Sequence, residues 1–98
     1  MTPLDAVTRD YRVAFIRYLP RREEAALHRG YEIGRSAVVR GLSLLDLATV
    51  HHQVLLEALR ETRDTPEDVA LVATAASEFL LEVLATYDMT QRSLRDNH

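Results

Sequence analysis

The chain contains no cysteine. That absence excludes a disulfide framework, a thiol nucleophile and any zinc-ribbon or iron–sulfur centre. Lysine is also missing, so all 12 basic residues are arginine. They form no long basic run and the formal net charge is −3. Sequence-independent nucleic-acid binding needs a positive face, so that function class is set aside. No uninterrupted apolar stretch reaches the roughly 18 residues of a membrane span, and no signal-peptide pattern opens the chain. A cytoplasmic protein without a membrane partner is expected. Glycine and proline occur only three times each. No segment alternates apolar and polar residues as a half-buried strand would.

What remains is 98 residues, 47% apolar and 28% charged, the composition of one soluble domain. A chain of this size buries a real core, although partners often supplement it. Charge is unevenly distributed. Residues 1–40 carry eight Arg against five acids, and residues 41–98 carry four Arg against ten.

The few breakers fall where helix ends are wanted. Thr2 caps a first helix with Pro3 in its first turn, and the helix runs to about Leu19, where Pro20 stops it. Leu4, Val7, Tyr11, Phe15 and Tyr18 form its apolar stripe. A second helix is expected from about Arg21 to Arg40, with Leu27, Tyr31, Gly34, Val38 and Ala37 inward and Gly41 as its stop. Glu23 and Glu24 near its start and Arg35 and Arg40 near its end suit the helix dipole. Gly30 and Gly34, one turn apart, each cost about 1 kcal/mol in a helix, which points to close approach of a neighbouring helix. No strand precedes them, so they do not form a phosphate-binding loop.

Ser43 with Asp46 has the spacing of a capping box and starts a third helix that reaches about Glu61. Thr65-Pro66-Glu67-Asp68 opens a fourth that no breaker interrupts before about Arg95. Connections of a few residues favour antiparallel neighbours. The expected fold is all-α, a four-helix up-and-down bundle with a long C-terminal helix.

The last two helices carry more apolar surface than one core requires. In the third, Leu44, Leu47, His51, Val54 and Ala58 make one face, with Leu45, Ala48, His52, Leu55 and Leu59 beside it. In the fourth, Val69, Val72, Ala76, Phe79, Val83 and Tyr87 make a stripe that Leu71, Leu81 and Leu84 widen. A surface helix of a monomeric bundle needs only a ~100° stripe. The surplus predicts a second contact, with another copy, a partner protein or both.

Catalytic chemistry is hard to find. Adjacent His51 and His52 point about 100° apart on a helix and have no acid one turn away, so a shared metal is not expected. One is expected inward and hydrogen-bonded, the other half exposed. Histidine phosphotransfer would need a nearby cation, and none follows before Arg60. Ser36, Ser43, Ser77 and Ser93 lack a local acid–base partner. Glu32 with Arg35, and Glu57 with Arg60, read as solvated helix pairs. No cofactor and no enzymatic activity is expected.

The pattern Tyr11…Tyr18-Leu19, Leu27…Tyr31-Glu32-Ile33-Gly34-Arg35, Leu42-Ser43…Val50-His51…Val54-Leu55 and Phe79-Leu80-Leu81-Glu82-Val83…Tyr87-Asp88-Met89 resembles the N-terminal regulatory domain of RsbU-type serine phosphatases. That domain in turn resembles the C-terminal helical domain of KaiA in fold. The resemblance covers essentially all of residues 1–98. It implies a homodimeric domain that binds an RsbT-like switch kinase. Binding turns on an attached PP2C-type phosphatase acting on an anti-anti-sigma protein, which releases a stress-response sigma factor.

The catalytic domain and its metal-binding aspartates would lie beyond His98, and the segment from Arg92 to His98 is expected to begin the linker to it. In the family the kinase docks on the start of the second helix and the outward face of the fourth. By register those positions are His28, Leu81 and Ala85, and His28 departs from the larger aromatic expected there. Two other readings stand beside this one. They are a dimerisation domain of a sensor kinase or transcription regulator, and a histidine phosphotransfer protein using His51 or His52.

Overall fold

The computed structural model describes residues 2–62 and 65–96. Among them are four helices and no strand: α1 (Pro3–Tyr18), α2 (Glu24–Val39), α3 (Leu44–Glu61) and α4 (Pro66–Asp96). His98 lies outside the described residues, as does the end of the expected linker segment.

Local capping chemistry fixes most of the boundaries. The Thr2 hydroxyl accepts from the Asp5 N–H while the Asp5 carboxylate accepts from the Thr2 N–H, a complete capping box. Ser43 and Asp46 repeat the arrangement at α3. At α4 the Thr65 hydroxyl accepts from the Asp68 N–H, with Pro66 in the first turn. Helix α2 closes in a Schellman motif. Gly41 has φ +77°, its N–H bonds to the Val38 carbonyl, and the Leu42 N–H reaches back to the Ala37 carbonyl.

The start of α2 is later than expected. Arg22 adopts φ +49° and Glu23 is extended, so Arg21 to Glu23 belong to the connection. The Arg22 N–H still bonds to the Tyr18 carbonyl and continues the turn that ends α1.

The core is one cluster. Val7, Tyr11, Ala14, Phe15 and Tyr18 of α1 meet Ile33 and Ala37 of α2, Leu47, Val50 and Val54 of α3, and Ala75, Ala76, Phe79, Val83 and Tyr87 of α4. Phe79 is its hub: the rings of Tyr11, Phe15 and Tyr18 lie 5.1–5.8 Å from it, edge-on or tilted.

Several faces are rotated from the expected ones. On α2 the centre falls on Gly30, Ile33, Gly34 and Ala37, leaving Tyr31 and Val38 at the flank. On α3 Leu47 and Val54 are buried as expected with Val50 beside them, and Leu44 is exposed; on α4 the expected stripe is buried from Val72 to Tyr87, and Val69 is exposed. The two glycines explain the rotation on α2. A Cβ at Gly30 would lie 3.3 Å from the Phe79 ring, and one at Gly34 would overlap the Thr86 hydroxyl and the Val83 carbonyl. These contacts advance along α2 and α4 together, so the two helices lie side by side in the same sense, backbone close to backbone.

Polar ties join the elements at their margins. Arg12 and Glu57 form a two-bonded ion pair between α1 and α3, at 2.7 and 3.0 Å. Glu57 therefore pairs across helices, not with Arg60 as its spacing suggested. Glu78 accepts from the Tyr18 hydroxyl and from Arg22, which fastens α4 to the end of α1. The Tyr87 hydroxyl donates to the Leu42 carbonyl at 2.7 Å, which holds α4 to the connection between α2 and α3.

Candidate partner-binding surface

Helix α4 buries one side completely. Phe79 and Val83 are inaccessible, and Leu81 sits midway between them in sequence. At 100° per residue it is turned about 200° from each, to the pole opposite the core. It is accordingly 67% exposed. Ala85, one turn further on, is exposed on the same side, and Thr74 and Ser77 extend that strip towards the start of the helix. None of the four is charged. Alternatives for burying Leu81 inside this chain are closed, because the helix cannot turn both Leu81 and Phe79 inward.

His28 is placed by the same logic on α2. It precedes Gly30 by two residues, so the close approach at Gly30 turns it outward. Its side chain is 65% exposed, its ring stacks on Tyr31 at 5.4 Å, and its Nε2 lies 3.6 Å from a Glu32 oxygen. Glu32 also meets Arg29, so it faces its own N-terminal turn and not Arg35 as expected. The structure thus sets Leu81 and Ala85 on one face. The contacts of His28 are with its own helix. All three are accessible.

Tyr31, expected inward, instead flanks His28, and the His28–Tyr31 spacing of three is the signal that pairs them. Glu82 adjoins Leu81 and carries no ion pair among the described residues, whereas Glu78 is held by Arg22 and Asp88 by Arg92.

Other exposed apolar side chains lie on all four helices: Leu44, Leu45 (76% exposed) and Leu56 on α3, Val13 and Ile16 on α1, Val39 (75%) on α2, and Val69, Leu71, Met89 and Leu94 on α4. The surplus expected from the sequence is therefore present at the surface. By length and composition alone α4 is also long and apolar enough to cross a membrane; its best window has mean hydropathy 1.7, and a third of that window is buried within the chain.

The histidine pair divides as expected. His51 is half-buried, with its Nδ1 2.9 Å from the Tyr11 hydroxyl, and its ring lies edge-on to Tyr11. Burial pushes its pKa below the usual histidine value, and neighbouring His52 adds to the shift. Burial likewise raises the Tyr11 hydroxyl well above the ordinary tyrosine value. His52 is exposed. Among the described residues no group of three His, Asp or Glu side chains is placed to hold a metal ion.

The family described as "Phosphoserine phosphatase RsbU, N-terminal domain" matches residues 9–90. No curated protein and no solved structure matches the chain.

Proposed function

Since the chain belongs to the family of RsbU phosphatase N-terminal domains, we propose that it is a homodimeric module whose α4 surface binds an RsbT-like switch kinase in the cytoplasm. The family is the regulatory part of a phosphatase and not its catalytic part. On this reading kinase binding at Leu81, Ala85 and His28 controls a serine phosphatase of the PP2C type in a partner-switching stress response. The order of contacts along the helices supports an up-and-down bundle as the scaffold.

The observation that carries the proposal is Leu81, a large apolar side chain 67% exposed at the pole opposite the core with Ala85 beside it. Removing such a side chain from water contributes about 2 kcal/mol. A protein that covers it gains this energy only if it also fits the small neighbours Ala85 and Ser77, which set how closely it approaches. Helix α4 is tied at Glu78 and at Tyr87, so a load on its outer face is transmitted along a stiff rod.

The phosphotransfer reading is weaker. His51 is hydrogen-bonded to Tyr11 and half-buried, which serves packing, and His52, though exposed, is followed by no basic side chain before Arg60 to stabilise a phosphoryl group. A purely structural dimerisation domain remains the second reading, favoured by the apolar surface of α3.

The test is light-scattering mass of the purified chain, alone and with an RsbT-like switch kinase. The expected result is a species near twice 11.1 kDa that grows on mixing and fails to grow for Leu81→Arg at unchanged helicity. A dimer that ignores the kinase favours the structural reading. Normal binding by Leu81→Arg places the surface elsewhere.

A further inference from the structure

Helix α4 has an unusual charge sequence. Between Pro66 and Gln91 it carries Glu67, Asp68, Glu78, Glu82 and Asp88 and no basic residue. Two of these acids are already engaged: Glu78 by Arg22 and the Tyr18 hydroxyl, and Asp88 by Arg92. Glu67 and Asp68 stand in the first turn, where the helix dipole accounts for them. Glu82 has neither explanation. It lies in the middle of the helix, partly buried, with no ion pair among the described residues, next to the most exposed leucine of α4.

We propose, resting on the protein-binding reading above, that the Leu81–Ala85 strip takes a partner protein that sets an arginine or lysine beside its apolar contact, with Glu82 receiving that cation. A charge at the margin of an apolar contact steers the encounter and excludes partners of the same sign. Leu81 supplies the burial and Glu82 supplies the choice of partner. A bilayer is the other occupant an apolar helix face could meet. Surface-bound amphipathic helices hold anionic lipids through Lys and Arg on their polar face, and this helix offers only acids over that length. The charge pattern therefore favours a basic protein surface over a membrane.

The test uses the full chain with the RsbT-like switch kinase as probe. Affinity is measured at about 50 mM and about 500 mM salt, conditions that bracket strong and weak screening. Glu82→Gln, which keeps the shape and helix preference of the side chain, is expected to bind about threefold more weakly at low salt and equally at high salt. Glu82→Lys is expected to bind more weakly still at low salt. Leu81→Arg is expected to lose binding at both. If Glu82→Gln binds as the unsubstituted chain does, or if its deficit is the same at both salts, the assignment of Glu82 is overturned while the docking surface stands. If Leu81→Arg binds normally, or the unsubstituted chain does not bind the kinase, the underlying reading fails and this proposal with it. Mixed phosphatidylglycerol–phosphatidylcholine vesicles give the remaining arm, and binding to them through Leu81 overturns the proposal in favour of a lipid surface.

Discussion

Gly34 of α2 lies directly against Thr86 of α4, with no room for even a methyl group between them. Thr86 is buried in the core, and its hydroxyl donates to the Glu82 and Val83 carbonyls of its own helix. The crossing is therefore made of backbone against backbone, with the hydroxyl satisfied before the helices meet.

Substitution at the two glycines separates this crossing from helix propensity. Alanine adds about 1 kcal/mol of helix preference at either position. At Gly30 the new methyl meets the edge of the Phe79 ring, and the two effects nearly cancel. At Gly34 it meets a backbone carbonyl that can retreat only if the helices part, so overpacking dominates. Gly34→Ala is expected to lose about 2 kcal/mol net, which lowers Tm by roughly 10 °C. Thermal unfolding of both variants checks the contrast, and equal Tm values would show that the crossing is loose.

His51 makes stability depend on pH in a definite direction. Its pKa in the fold lies below the ordinary value of 6.5, so the unfolded chain binds the proton more readily. The contribution is whole above about pH 6.5 and is lost as pH falls from there through the lower, folded-state pKa. Chemical unfolding between about pH 5 and pH 8 should show this loss in the unsubstituted chain and less of it in His51→Gln, whose side chain does not titrate. An identical pH profile in the two proteins would remove His51 as the cause.

Tyr87 holds the middle of α4 to the connection between α2 and α3. Its hydroxyl donates to the Leu42 carbonyl and accepts from Gln91. Tyr87→Phe keeps the packing and deletes both bonds, so a loss of about 1 kcal/mol is expected in denaturant titration. Binding at Leu81 should survive, because Leu81 faces away from the core while Tyr87 points into it.

Self-association is expected to draw on the apolar surface of α3. Leu45 is the most exposed large apolar residue among the described residues. Leu45→Glu should shift the light-scattering mass from near twice 11.1 kDa towards that value, with helix content unchanged. A dimer that persists would move the seam to α1 or α4.

Much of this molecule was legible before folding. Caps are local, so Thr2 with Pro3, Ser43 with Asp46, Thr65 and Gly41 mark their helix ends without knowledge of any neighbour. The 3.6-residue period of the apolar residues predicts the four helices, and of the excess on α3 and α4 Leu45, Leu71 and Leu81 are exposed while Leu55 and Leu84 pack against the core. Leu81 was named by family register, and its outward direction follows from the burial of Phe79 and Val83 on either side. What the sequence left undecided is how the helices turn against one another. That depends on contacts between residues dozens of positions apart. The glycines let α2 approach α4 face to face, which centred α2 on Ile33 and Ala37 and moved Tyr31 to the flank beside His28. The same long-range geometry paired Glu57 with Arg12 and Glu78 with Arg22, and gave Glu82 no ion pair among the described residues. Periodicity fixes which residues share a face, because that follows from one helix alone. Which face meets which neighbour, and which charges pair within the chain, is settled only when all four helices compete for the same core.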